Sequence, residues 1–271
     1  MIFKMLYKFL NIIFSGKLKP FAFKIVPPLF LIILILLIWE IIVRSLGIPD
    51  YVVPTWQQVI SELYMKPMFF IEHSLITLME AFSGFILGMI FSIFLAAVMV
   101  HNNLLERSIY PIALMLKVTP IIAIAPLIVI WLGFGYSPKI FITFLITFFP
   151  ILINALTGFK DVDNNKYRFF QILNASKFEI FLKLRFFTAI PYLFSAFKIS
   201  IPLSVIGAVV GEWFTGNSGL GSIILVSNNE LQTSTLFASI LLLSLIGCLL
   251  TVCTNLLEKK VVFWRYNIFI D

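Results

Sequence analysis

The stretch YRFFQILNASKFEIFLKLRFFTAIPYLF, residues 167–194, places five charged side chains between two long apolar segments. These charged residues are Arg168, Lys177, Glu179, Lys183 and Arg185. Glu179 precedes Lys183 by four positions, which is the favourable order for an ion pair along a helix. The small polar residues Asn174-Ala-Ser interrupt the stretch and suit a tight turn between two helical pieces. The stretch therefore predicts a basic helical loop that joins two apolar helices.

The rest of the chain has the composition of a membrane protein. Of its 271 residues, 61% are hydrophobic and 12% are charged, whereas soluble domains are about half apolar and about a quarter charged. A helix needs about 20 apolar residues to cross a bilayer. Six stretches qualify, at 27–43, 74–100, 110–132, 138–159, 189–210 and 235–257. We predict an all-α membrane protein with six transmembrane helices.

The distribution of basic residues predicts how the chain is oriented. Fifteen of the 20 Lys and Arg residues lie in the N-terminal segment, the second and fourth loops and the C-terminal tail, whereas the opposite loops hold Arg44, Lys66 and Lys139. Positive loops stay in the cytoplasm, so we predict that both the N and the C terminus are cytoplasmic. The predicted regions are a basic interfacial segment at 1–26, a transmembrane domain at 27–258 with a cytoplasmic loop at about 160–188, and a cytoplasmic tail at 259–271.

The sequence lacks the common motifs of enzymes and nucleotide-binding proteins. No G-x-x-x-x-G-K-[ST] pattern occurs, and the glycine-rich stretch GNSGLG at 216–221 has no following Lys. H-E-x-x-H and G-x-S-x-G are also missing. The positive charge lies in short segments between apolar runs, which is typical of loops that face an anionic leaflet. We therefore predict no catalytic residues, no metal, no cofactor bound by this chain and no nucleic-acid partner.

Four ionisable residues fall within or beside the predicted spans, where charge is costly. They are Glu40, Glu80, Lys117 and Lys198. Glu40 and Arg44 have the spacing of a helical ion pair. Lys198 lies about 14 Å along its span, near the middle of the bilayer, and needs a partner on another helix, a wet cavity or a subunit interface. Glu80 is the candidate partner if Lys198 forms a structural pair.

Polar groups and prolines at membrane depth are tolerated where they are buried in protein or line a cavity. The candidates for lining a path through the membrane are Thr119, Pro120, Pro126, Asn154, Lys198, Pro202, Ser204 and Glu212. Each of them is also explained as a packing detail, so the residues alone leave both interpretations open.

Several motifs, in order along residues 27–265, resemble those of permease subunits in binding-protein-dependent ATP-binding-cassette importers. They are VPTWQQV (53–59), AFSGFILG (81–88), TPIIAIAPLIVIWLGFG (119–135), FFPILIN (148–154) and IGAVVGEW (206–213). The stretch at 167–194 is similar to the cytoplasmic E-A-A-x-x-x-G loop of the family, although Arg168, Phe169 and Phe170 replace its first three motif residues. Asn174 stands at the Gly position, and Asn is among the few residues besides Gly that adopt a left-handed turn.

The resemblance implies a type I importer permease fold in the inner (plasma) membrane of a bacterium. An extracytoplasmic binding protein would deliver a small solute to a permease homodimer, and cytoplasmic ATPase subunits would supply the energy from ATP and Mg²⁺. The implied ATPase-coupling loop contains Arg168, Asn174, Ala175, Ser176, Lys177, Phe178 and Phe181. The solute predicted by likeness of motifs is a thiamine-pyrimidine or riboflavin-type vitamin precursor, or a sulfonate- or nitrate-type anion.

Two other functions and one other role for the loop stay open at this point. A six-helix secondary transporter predicts an inverted repeat and carboxylates near the bilayer midplane. A membrane enzyme of lipid metabolism predicts Asp, His or Arg residues clustered at one interface. The basic loop is also explained as an amphipathic helix that lies on the lipid surface.

Overall fold

The computed structural model describes residues 19–216 and 218–266, with side chains over 26–216 and 218–264. Most of the predicted interfacial segment, 1–26, and the end of the predicted tail, 267–271, lie outside the described residues or side chains. Within these ranges the chain is helical apart from short connections. Its helices are α1 (Lys19–Ser45), α2 (Trp56–Met65), α3 (Pro67–His101), α4 (Asn103–Val118), α5 (Ile121–Leu132), α6 (Tyr136–Lys160), α7 (Asn164–Ile172), α8 (Lys177–Ile180), a π-helical turn (Phe181–Arg185), α9 (Phe186–Thr215), α10 (Leu220–Asn229), α11 (Thr233–Val261) and α12 (Phe263–Tyr266).

Within the described residues, five helical segments are long and apolar enough to cross a membrane. They are Val26–Ser45, Pro67–His101, Tyr136–Lys160, Lys177–Thr215 and Thr233–Val261. Each contains one of the predicted spans and extends beyond it. The pair α4 and α5 also meets the criterion together, so counting this pair as one span gives six crossings.

The predicted third span at 110–132 corresponds to α4 and α5, which meet at an angle of 102°. Thr119, which ends α4, has an extended backbone with ψ of 127°. The residue before a proline is disfavoured in the helical region, because the proline ring clashes with it. Pro120 therefore ends one helix, and the chain starts a new one at Ile121 in another direction.

Helices α3, α6 and α9 form the centre of the bundle, and small residues let them approach closely. A Cβ atom added to Gly207 would lie 2.8 Å from the Cα atom of Thr143, and one added to Gly211 would lie 2.7 Å from the Cα atom of Lys139. Near the other end of α6, a Cβ atom added to Gly158 would lie 2.9 Å from the Cα atom of Ala189. Small residues are typical of helix contacts in membranes, because lipid provides no hydrophobic force between helices and close packing must hold them together.

The bundle has two distinct ends. At one end, which we call the loop end, α6 leads into residues 161–185 and then into α9. At the opposite end lie the short helices α2 and α10. Here α1 is fixed to the segment around α2 because Trp39 Nε1 donates to the Pro54 carbonyl at 3.0 Å and Arg44 Nη2 donates to Gln57 Oε1 at 2.7 Å. Within α1, Glu40 and Arg44 form an ion pair at 2.5 Å. This ion pair confirms the one predicted from the spacing.

Candidate functional site

The basic hairpin, defined as residues 164–180, consists of α7 and α8 and projects from the loop end. Asp163 starts it by accepting hydrogen bonds from the backbone amides of Asn165, at 2.7 Å, and Lys166, at 3.1 Å. The amide of Lys166 and then that of Asn165 lower the pKa of the Asp163 carboxyl, because both bonds favour its charged form. Asp163 is therefore ionised at neutral pH and caps the positive end of α7.

The turn of the basic hairpin depends on Asn174, whose φ of 49° is left-handed. The Ala175 amide donates to the Phe170 carbonyl at 3.0 Å, and the Asn174 amide donates to the Gln171 carbonyl at 3.0 Å. This pair of bonds is the Schellman motif, which ends a helix through a left-handed residue. The left-handed conformation expected at Asn174 is thus present.

Helix α8 begins directly after this turn with a capping box. The Glu179 amide donates to Ser176 Oγ at 3.2 Å, and the Ser176 amide donates to Glu179 Oε2 at 2.9 Å. Glu179 also pairs with Lys183 at 3.5 Å, as the spacing predicts. The chain then continues through the π-helical turn into α9 without a break. The hairpin is therefore rigidly connected to a membrane-spanning helix.

The tip of the basic hairpin carries large apolar side chains that nothing in the described structure covers. Phe169, Ile172, Leu173 and Phe178 are 58%, 80%, 62% and 68% exposed. Of the predicted coupling residues, Arg168, Asn174, Ser176 and Lys177 are exposed beside them. Contiguous exposed apolar groups with polar neighbours are typical of a surface that contacts another molecule.

Phe181 has a different environment from the rest of the predicted coupling residues. Its half-buried ring lies 5.0 Å from that of Phe159 and 5.2 Å from that of His101. Close by, Arg185 donates from Nη1 to the Phe159 carbonyl at 2.8 Å. Phe181 therefore anchors the base of the hairpin to α3 and α6, while its exposed neighbours form the tip.

Three of the residues predicted to line a path donate hydrogen bonds within their own helices. The Thr119 hydroxyl donates to the Met115 carbonyl at 3.0 Å, and Asn154 Nδ2 donates to the Pro150 carbonyl at 2.8 Å. Ser204 likewise bonds to the carbonyl of Ile201 at 2.7 Å. Each of these groups is satisfied by its own helix, while Pro120 is exposed at the bend.

Ser204 lies in the wall of a cavity of about 380 Å³ between α3, α9 and α11. The other wall residues are almost all apolar and include Phe82, Phe85, Phe197 and Leu250. Ser204 is the only one of the eight path candidates among the residues that line this cavity.

The predicted pairing of Lys198 with Glu80 is wrong. Lys198 forms its ion pair with Glu258 on α11, and Glu258 is only 4% exposed. The two helices bring these residues together although they are far apart in sequence. A charge at membrane depth is costly, and the ion pair with a neighbouring helix offsets this cost.

A buried polar cluster lies toward the opposite end of the bundle, where α3, α6, α9 and α10 meet. Lys139 Nζ donates to Glu80 Oε1 at 2.8 Å and to the carbonyl and hydroxyl oxygens of Ser218, each at 3.1 Å. Glu212 accepts from the Thr77 hydroxyl at 2.6 Å and from the Gly221 amide at 2.5 Å. Glu80, Lys139 and Glu212 are each 1% exposed or less.

Lys139, which the sequence places on the side opposite the basic loops, is buried at that end of the bundle. The sequence alone did not reveal this cluster. The path candidate Glu212 belongs to it and has no exposed surface in this conformation. One signal was present in the sequence. Lys139 lies one turn after the start of α6, and Glu212 lies one turn before the end of α9. Antiparallel neighbours place such positions at the same depth.

The N-terminus of α10 is held by the same cluster. The Gly219 amide donates to His73 Nδ1 at 3.0 Å, and the Leu220 amide donates to the Thr77 hydroxyl oxygen at 2.8 Å. Together with the Gly221 bond to Glu212, these contacts satisfy the first free amides of the helix. The cluster therefore fixes α10 to α3 and α9.

The structure defines a multi-span, all-helical membrane protein with a hairpin exposed at one end, which is the architecture of a transport permease subunit. Residues 88–263 match the family described as the binding-protein-dependent transport system inner membrane component. The chain belongs to this family, and the predicted family and fold are confirmed.

Its relatives include transport permeases that are named for different solutes. The formylaminopyrimidine transport permease protein ThiX of Halalkalibacterium halodurans is 31% identical over 90% of this chain and 98% of its own length. The riboflavin transport system permease protein RibX of Chloroflexus aurantiacus is 31% identical over 86% of this chain and 88% of its own. A solved structure of the MetNI methionine transporter in inward-facing conformations contains a chain that matches with a TM-score of 0.60. That match has 17% identity and covers 74% of this chain and 98% of the other, so it supports the fold alone.

Proposed function

We propose that this permease forms the membrane path for a small solute that an extracytoplasmic binding protein delivers, and that separate ATPase subunits drive the transport. The observation that carries the proposal is the basic hairpin. Its exposed apolar tip offers a surface for another protein, and its base continues into α9. A force applied to α8 would therefore move a spanning helix.

The proposed coupling surface consists of the exposed residues Arg168, Asn174, Ser176, Lys177 and Phe178, with Ala175 in the turn and Phe181 as the anchor. In this arrangement the ATPase subunits bind ATP and Mg²⁺ and this chain binds neither. Because the hairpin carries most of its charge as Lys and Arg, the positive-inside rule supports a cytoplasmic position for the loop end and for both termini.

We further propose that two copies of the chain enclose the path in the inner membrane of a bacterium. The described part of one chain supplies a single set of up to six spans. Helix α1 supports the pairing, since its apolar side chains are largely uncovered within one chain; Ile32, Ile35 and Leu37 are 52%, 54% and 53% exposed. A second copy or lipid must cover them.

The proposed solute is a vitamin precursor of the pyrimidine or riboflavin type. The relatives named for formylaminopyrimidine and riboflavin are each 31% identical to this chain, whereas the putative aliphatic sulfonates permease SsuC of Bacillus subtilis is 28% identical. A sulfonate- or nitrate-type anion is the second choice. Binding measurements on the partner binding protein, with members of each solute class, decide between them.

The coupling proposal is tested by purifying the tagged chain from its native membrane and identifying its companions by mass spectrometry. We expect a stoichiometric ATPase with the unaltered chain, and its loss when residues 174–177 are all alanine. The matched control replaces Asn228, Asn229 and Glu230, which are exposed at the opposite end, and should retain the ATPase. Retention of the ATPase by the 174–177 variant would show that the hairpin is not the coupling surface. A chain that moves solute without any ATPase would contradict the importer itself.

A further inference from the structure

The buried polar cluster contains one more acidic group than its basic partners can neutralise. Glu80 and Glu212 are both fully buried, and Lys139 is the one ammonium group in contact with them among the described residues. With both carboxyls ionised, the cluster would carry a net negative charge inside the protein. Burying an uncompensated charge is costly, so such groups are paired or neutralised.

The hydrogen bonds show where the missing positive charge is needed. Glu212 accepts from Thr77 with one carboxyl oxygen and from the Gly221 amide with the other, and Glu80 Oε1 accepts from Lys139. Glu80 Oε2 is buried and has no donor among the described residues. Thr77, which lies one turn before Glu80 on α3, donates to Glu212, so the two carboxyl groups lie close together and interact. Two ionised carboxylates have acceptors only, so a hydrogen bond between them requires a proton.

We propose that the permease binds one proton between Glu80 and Glu212, carried on Glu80 Oε2 and donated to the Glu212 carboxylate. The cluster then contains one ammonium and one carboxylate, and it is neutral overall. Every buried oxygen of the two acids also gains a partner. This proton site is separate from the hairpin, and it includes the path candidate Glu212.

The other polar groups around the cluster already have hydrogen-bond partners, so the proton is assigned to Glu80 and Glu212. Lys139 Nζ already donates to Glu80 Oε1 and to the two oxygens of Ser218, which accounts for its three hydrogens. The Tyr136 ring lies 5.6 Å from the same nitrogen. His73 accepts from the Gly219 amide through Nδ1, so this nitrogen carries no proton. The Thr77 hydroxyl accepts from the Leu220 amide at 2.8 Å, and its one hydrogen faces Glu212 Oε1 at 2.6 Å and the His73 carbonyl at 3.1 Å.

Infrared difference spectroscopy of the purified permease in lipid nanodiscs tests the proposal. We expect the carbonyl stretch of one protonated carboxylic acid at neutral pH, shifted by exchange into D₂O, and its loss in Glu80→Gln. Glu258→Gln is the matched control, because Glu258 is a buried acid that forms an ion pair with Lys198, and it should retain the band. A missing band in the unaltered protein, or a band that persists in Glu80→Gln, would overturn the proposal.

Thermal melting of two glutamine variants is an independent test. A general loss of charge would affect both variants alike, whereas the proton site predicts that they differ. In Glu80→Gln the side-chain amide can donate to Glu212 in place of the proton while its oxygen accepts from Lys139, so the melting temperature should stay near that of the unaltered protein. In Glu212→Gln one of the two acceptor oxygens becomes a donor facing Thr77 or the Gly221 amide, so the melting temperature should fall. Equal losses in both variants would show that both glutamates are ionised, and the proton site would be refuted.

Discussion

The backbone angle φ of Asn174 determines the direction of the turn in the basic hairpin. With φ of 49° this residue brings the Ala175 amide back to the Phe170 carbonyl, and Ser176 can then cap the next helix. Residues other than Gly, Asn and Asp pay about 1–2 kcal/mol for the left-handed conformation. The geometry that orients the exposed tip therefore depends on which residue stands at this position.

Two substitutions of Asn174 distinguish the effect of its backbone angle from the effect of losing its side chain. We expect Asn174→Gly to retain a proposed ATPase partner, because glycine adopts the same angle freely. Asn174→Val should lose the partner, because a β-branched side chain resists this conformation by about 1–2 kcal/mol or more. Co-purification of the ATPase measures both variants. Equal retention would indicate that the turn does not position the contact surface.

At Gly219 the backbone is left-handed, with φ of 98°, and the residue lies against the Glu212 carboxyl. A Cβ atom there would overlap this carboxyl group. We therefore expect Gly219→Ala to lower the stability by about 1–3 kcal/mol, the usual cost of overpacking, seen as a lower melting temperature.

Gly247 provides the control for this substitution. It lies within α11, and a Cβ atom added to it meets nothing within 4 Å. Gly247→Ala should leave the melting temperature unchanged or raise it, because glycine costs about 1 kcal/mol relative to alanine inside a helix. Similar losses in both alanine variants would contradict the close contact at Gly219.

At the scale of elements, Glu62 joins the short helix α2 to the spanning helix α11. Its Oε1 accepts from Lys66 Nζ at 2.8 Å and from the Thr235 hydroxyl at 2.8 Å. Partial burial acts to raise the pKa of the Glu62 carboxyl, but the bonds from Lys66 and Thr235 outweigh it and hold the pKa below its ordinary value of 4.5. The contact thus favours the ionised acid.

This contact should be sensitive to acid. Because the pKa is lowered in the folded state, the stabilisation is present above the ordinary pKa and is lost as the pH falls through the lowered one. We expect Glu62→Gln to melt at a lower temperature than the unaltered protein at neutral pH, and the difference to shrink in acid. Glu72→Gln, an exposed change on α3, is the control. A difference that does not depend on pH would show that Glu62 acts without its charge.

The α4–α5 pair shows how one proline alters an element. Residues 110–132 are apolar enough for a single span, yet the pair bends by 102° at Thr119 and Pro120. Pro111 and Pro126 lie inside α4 and α5 without ending them. Proline restricts the residue before it, but neighbouring helices decide whether the chain accommodates the kink or starts a new direction.

For the whole molecule, the basic hairpin and helix α10 mark opposite ends of the bundle. Positive charge at the loop end supports a cytoplasmic hairpin. Labelling with a membrane-impermeant thiol reagent tests this after the two native cysteines, Cys248 and Cys253, are replaced by serine. We expect Asn229→Cys to react in intact cells and Ser176→Cys to react only in inverted vesicles. The reverse pattern would overturn the proposed orientation.

How far the sequence anticipated this structure can be seen from particular residues. Local features could be predicted from the sequence because the interacting residues lie within a few positions of each other. The Glu40–Arg44 pair, the Glu179–Lys183 pair and the turn at Asn174 are all present. Long-range partners were not. Glu80 pairs with Lys139 and Lys198 pairs with Glu258, and no spacing rule connects residues on separate helices.

The sequence by itself determined that this chain is a helical membrane protein of the importer permease family, because the length and apolarity of a span and the order of short motifs are local properties. It also determined the basic hairpin and its turn. Only the tertiary structure decided that the third span bends, that Lys139 is buried and that Glu80 and Glu212 face each other. These features depend on which helix faces pack together, and at membrane depth a charge is tolerated only where another helix brings it a partner.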